Sequence, residues 1–156
     1  MQFVAAALYR LTLALWVGGI ALFTFVVTPI LFRTQGRDAA GKIVGTIFPH
    51  YFRYVLVLAG VVLLLRLLSG EAFRGWRRVV GTLLAASAIF LAGYQAYSLL
   101  PRMEEVKRAA VSFETAAPDS ASRKEFSRLH GISMVLNMIV LLEGATLAAG
   151  AGPFRR

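Results

Sequence analysis

The chain has 156 residues, 58% of them hydrophobic and 16% charged, with a formal net charge of +9 and no cysteine. That balance is too apolar for a soluble domain of this size, and the missing cysteines exclude disulfides, thiolate metal sites and thiol redox chemistry together. The positive charge does not point to nucleic acid. Most Lys and Arg flank apolar stretches, where they meet lipid headgroups, and no soluble domain remains to present a basic face.

Four apolar stretches account for the composition: residues 11–32, 54–65 (extended upstream through 43–52 and downstream to Leu68), 79–100 and 131–152. A helix needs roughly 20 residues to cross a bilayer core. Helices apolar on all sides in so short a chain have too little other protein to bury them, so lipid is their solvent. The sequence predicts an all-α, polytopic membrane four-helix bundle, a single domain with spans near 9–32, 46–68, 78–100 and 128–151.

In chain order, residues 1–10 carry neither a basic leader nor a small-residue cleavage site, so the first span reads as an uncleaved signal anchor. It ends near Arg33. The polar turn Thr34-Gln35-Gly36-Arg37 follows, and Asp38 is the expected N-cap of the second helix. Pro49 removes a backbone donor there and is expected to kink it. A short glycine-bearing turn over 69–76 makes helices two and three antiparallel neighbours. Helix three is expected to stop at Pro101. Residues 101–113, charged and apolar by turns, suit a short interfacial amphipathic helix between helices three and four. A flexible loop over 114–122 precedes helix four, which Ser122 and Glu125 are expected to open as a capping box.

Small residues recur at four-residue spacing, in Ala14 and Gly18, in Ala88, Ala92 and Ala96, and in Gly144, Ala148 and Gly152. That spacing lets membrane helices approach closely. With the N-terminal side called A, side A carries seven Lys and Arg and side B ten, which favours side B in the cytoplasm of a cell (inner) membrane protein.

Polar groups gather toward side B. His130, Ser133 and Asn137 fall within an arc of about 60° on helix four. Opposite them by level lie His50 and Tyr54 on helix two, with Gln95 and Tyr97 on helix three. Polar side chains in a span face the bundle and find partners there. The group reads either as interhelical hydrogen bonding or as a small-molecule or metal site. Glu143 stands alone, about 140° around helix four from His130. A buried carboxylate needs a partner, and an Arg10–Glu143 pair between helices one and four is the expectation. The residue set supports no Ser-His-Asp, paired-carboxylate or phosphate-loop arrangement, so an enzyme is not the leading reading.

The segment Phe126-Ser127-Arg128-Leu129-His130-Gly131-Ile132-Ser133-Met134-Val135-Leu136-Asn137 resembles the histidine-glycine-leucine-serine…asparagine motif of the transmembrane protein 205-like family. Residues 22–33, 40–45 and 47–52 are similar to its first helix and to the start of its second. The resemblance implies a four-helix membrane protein of unsettled activity, with a helix-four pattern on His130, Gly131, Ser133 and Asn137. Animal members are tied to platinum-drug resistance, which implies export or trafficking of metal complexes; His50 is not part of the motif. Looser likeness extends to copper-resistance membrane proteins and membrane-bound protoporphyrinogen oxidases. Three expectations follow. The chain binds or helps transport a small solute or metal complex; or it is an accessory subunit, alone or as a homo-oligomer among other membrane subunits; or His50 and His130 clamp a haem.

Overall fold

A computed structural model describes residues 2–68, 75–109 and 120–151, all of them helical apart from short joins. Four helices follow in order: α1 (residues 2–34), α2 (Arg37–Leu68), α3 (Trp76–Ala109) and α4 (Ala121–Gly150). Each is long and apolar enough to cross a membrane, as an integral membrane protein requires. Only 11% to 33% of the most apolar window of each helix is buried inside the bundle, so most of that apolar surface is left for lipid. The turn over 69–76 and the loop over 114–122 lie largely outside the described residues.

The helices pack as a ring in chain order, with α1 against α2 and α4, and α3 against α2 and α4; α2 and α4 stand diagonally with no close backbone approach. A seam on each helix faces the centre. In α1 it is Tyr9, Leu13, Trp16 and Ile20; in α2 it is Tyr51, Val55, Ala59, Val62 and Arg66; in α3 it is Gly81, Ala85, Ala88 and Ala92. Spacings of three and four keep each set on one face. The α3 seam is built of small residues, so its backbone approaches its neighbours, as its alanine spacing predicts. Ala14 and Gly18 behave otherwise. Both are exposed, and a Cβ on Gly18 would meet nothing within 4 Å. The bulky Leu13, Trp16 and Ile20 claim the inward face of α1 instead. Gly144 does pack, lying against the indole of the fully buried Trp16.

Several helix ends differ from expectation. α2 begins at Arg37, so Asp38 sits in its first turn, where its charge suits the helix dipole, and Gly36 supplies the first carbonyl, to Ala40. α2 then runs without a break through Pro49. The capping box on α4 is not formed: the helix starts at Ala121, and Glu125 instead takes a two-pronged bond from Arg128 at 2.7 and 2.8 Å. Helix three does not stop at Pro101. Residues Leu100–Ala109 prolong α3 directly, in place of a separate surface helix within the described residues.

Pro29 and Pro101 are each tolerated by the same device. Phe23–Val27 and Gln95–Leu99 are single π-helical turns, each ending two residues before its proline. Their closing bonds run from the Thr28 N–H to the Phe23 carbonyl and from the Leu100 N–H to the Gln95 carbonyl. A proline ring clashes with the carbonyl four residues back, and the widened turn moves that carbonyl away.

Near side A, the buried Arg66 ties three helices. Its guanidinium donates to the Tyr9 hydroxyl at 2.9 Å and to the Arg77 carbonyl at 2.8 Å, and it lies flat on Gly81. A Cβ on Gly81 would overlap the guanidinium. Gly81→Val is therefore expected to destabilise the purified protein by about 1–3 kcal/mol, whereas Gly18→Ala should be neutral or slightly stabilising. Unfolding of both variants in detergent checks this; equal stability would contradict the packing.

Candidate functional site

The polar side chains of the bundle meet at one level. Asn137 of α4 donates from Nδ2 to Thr24 Oγ1 of α1 at 3.0 Å and accepts at Oδ1 from the Tyr51 hydroxyl of α2 at 2.6 Å. One turn away, Ser133 Oγ donates to Gln95 Oε1 of α3 at 3.1 Å, both residues being buried. All four helices thus contribute to one band of hydrogen bonds. The Tyr51 bond spans the diagonal between α2 and α4, which only a long side chain can do.

Local structure aims these groups. Thr24 and Gln95 both belong to the π-helical turns, so the two places where the backbone widens are where α1 and α3 supply their partners. The Tyr51 ring is held by Phe23, stacked at 4.7 Å, and by Phe52, edge-on at 5.3 Å. Asn137, Tyr51 and Gln95 lie near the midpoints of their helices. Continuation of α2, α3 and α4 beyond the apolar stretches on side B puts them there.

Of the residues expected at the site, Ser133, Asn137 and Gln95 are brought together and the others are not. His130 is half-buried one turn farther toward side B, its ring stacked with Phe126 at 6.1 Å. His50 is exposed, on the flank of α2 next to the inward-turned Tyr51. The two histidines therefore do not face each other, which leaves the haem expectation without its ligand pair. Among the described residues, no group of three or more His, Asp or Glu could hold a metal ion. Tyr97 is 73% exposed. Tyr54 crosses onto α1 instead, donating to the Leu15 carbonyl with its ring laid against Gly19.

Thr24 and Tyr51 were not foreseen. A usable signal exists for Tyr51: it continues the series Val55, Ala59, Val62 and Arg66 backward at helical spacing, while His50 falls off that face. Glu143 is buried, and no ion pair joins it to the exposed Arg10 among the described residues. One carboxylate oxygen, Oε2, and the Trp16 indole N–H are both buried without a hydrogen-bond partner. Sequence depth alone could not tell which neighbour Glu143 would meet.

The band is made of neutral donors and acceptors. It can orient or gate a polar solute, but it holds no nucleophile or general base with a paired acid. Removing its hub should be felt directly. Asn137→Ala strands Tyr51 and Thr24 together, and is expected to cost about 1–2 kcal/mol, against about 0.6 kcal/mol for Ser133→Ala. Reversible unfolding in mixed micelles measures both, and a smaller loss for Asn137→Ala than for Ser133→Ala would contradict the hub.

The chain is similar over 130 residues to an uncharacterized protein of Aquifex aeolicus (strain VF5), at 29% identity and covering 83% of each chain. No solved structure matches it. The family described as a domain of unknown function, DUF4149, matches residues 11–112, from the core of α1 past the end of α3. That match includes Thr24, Tyr51 and Gln95 and stops before Ser133 and Asn137. Covering more than half of the chain, it makes this protein a member of the DUF4149 family.

Proposed function

We propose that the chain is a membrane protein that binds, and helps move, a small solute or metal complex along the bundle axis, with the hydrogen-bonded band as its constriction. The observation that carries this reading is the coincidence of two π-helical turns with the two side chains, Thr24 and Gln95, that complete the band. A π turn widens the backbone ring relative to an ordinary helix, and such turns concentrate at functional sites. It also gives α1 and α3 a place to shift register, so breaking two or three bonds opens the band. The resemblance to the transmembrane protein 205-like family supports the same reading, since its helix-four pattern falls on His130, Ser133 and Asn137. With no cysteine, a soft metal complex has only methionine sulfur and imidazole to meet.

A second reading, an accessory subunit or homo-oligomer, is favoured by the outward seam Leu83, Phe90 and Tyr97 on α3, which is 63% to 74% exposed. Seven-residue spacing makes it a continuous stripe suited to another span as well as to lipid.

Cells expressing the wild type, His130→Ala or Asn137→Ala, loaded with copper, zinc or cisplatin, separate the readings. Accumulated metal measured by elemental mass spectrometry should differ between the wild type and Asn137→Ala at matched membrane levels. Identical accumulation in all three would sink the solute reading.

A further inference from the structure

Three cations that the hydrogen-bonded band does not use converge where the helices end on side B. Arg37 opens α2, Lys107 lies on the prolonged end of α3, and Arg123 is in the first turn of α4. With Phe32 of α1 and Phe126 of α4 they line a cleft of about 250 Å³, whose described lining includes one acid, Asp38. Lys107 is fixed in place, donating to the Gly41 carbonyl at 2.8 Å and lying 4.0 Å from Glu104 on its own helix. The cleft is slightly below the roughly 300–1,000 Å³ of sites for drug-sized ligands and suits one small polar group.

Charge here favours an anion. Two arginines and a lysine from three different helices line one space, and guanidinium and ammonium groups pair with the oxygens of phosphate. The first turns of α2 and α4 open at the same end, adding their positive dipole ends. Phe32, 44% exposed, supplies an apolar wall beside the cations. Basic pockets between helices at this depth meet lipid headgroups.

We propose that this cleft binds a phosphate group, presented either by a membrane phospholipid or by a small soluble phosphate. The site stands apart from the solute reading, since none of its residues belongs to the band.

The test uses the full chain, purified and delipidated in neutral detergent. Its unfolding midpoint is followed while phosphatidylglycerol, phosphatidylcholine or soluble glycerol phosphate is added. Three proteins are compared: the wild type, Arg37→Gln/Arg123→Gln, and Arg53→Gln/Arg102→Gln, which removes equal charge from exposed positions outside the cleft. Phosphatidylglycerol should raise the midpoint of the wild type and the control pair alike, with Arg37→Gln/Arg123→Gln needing about tenfold more. A rise with phosphatidylglycerol but not glycerol phosphate assigns the site to lipid; an equal rise with both assigns it to soluble phosphate. Equal titrations in all three proteins, or no rise with either phosphatidylglycerol or glycerol phosphate, would overturn the site. If Arg37→Gln/Arg123→Gln does not fold, native mass spectrometry of the wild type from an equimolar mixture of the two lipids decides. Selective retention of phosphatidylglycerol is the expected result, and retention of both equally is the contrary one.

Discussion

A polar side chain at the depth of a bilayer core has no water to turn to, so its partner must come from another helix. The bundle is arranged around that requirement. Asn137 sits near the midpoint of α4 and presents a carbonyl and an amide together, so it must meet one donor and one acceptor. Tyr51 supplies the first and Thr24 the second, at 2.6 and 3.0 Å. Satisfying both fixes the rotation of α1, α2 and α4 about their axes at once, and the Ser133–Gln95 bond does the same for α3. Apolar packing between spans is weakly directional in lipid, so these few bonds specify the register.

The same logic explains where strain is tolerated. Pro29 and Pro101 interrupt the ladders of α1 and α3, and each π-helical turn that accommodates one also carries a partner of the α4 polar pair. Side A uses a different solution. A buried guanidinium, Arg66, rests on Gly81 and donates to a tyrosine hydroxyl and to helix carbonyls. Two locks, one of neutral amides and hydroxyls at mid-bundle and one cationic near side A, hold the four helices at separate heights. Between them Trp16, fully buried, packs against Gly144.

Much of this was legible in the residues. Four apolar stretches of spanning length give the four helices, and the inward arc of Ser133 and Asn137 follows from the 100° step of an α-helix. Counting along helix three puts Gln95 at the level of Ser133, to which it is hydrogen-bonded. What could not be read was which residue of a polar pair turns inward. His50 and Tyr51 are neighbours, and only the seam continuing through Val55, Ala59 and Val62 decides for Tyr51. Thr24 likewise continues the α1 seam of Leu13, Trp16 and Ile20 at helical spacing, at the start of the π turn, so the same signal marks it. Arg10 and Glu143 match in depth by counting along the sequence, yet Glu143 is buried and Arg10 is exposed. The expected end of helix three at Pro101 failed because the preceding π turn lets the helix pass its proline.

The central claim is that Asn137 bridges α1 and α2 across the middle of the bundle. Magic-angle-spinning NMR of the protein in lipid bilayers, with Asn, Thr and Tyr isotopically labelled, tests it most directly. The account predicts through-space correlations from the Asn137 side-chain amide to both Thr24 and the Tyr51 ring, with amide protons protected from exchange with deuterated water. An Asn137 amide that exchanges freely, or that correlates with neither residue, would contradict it.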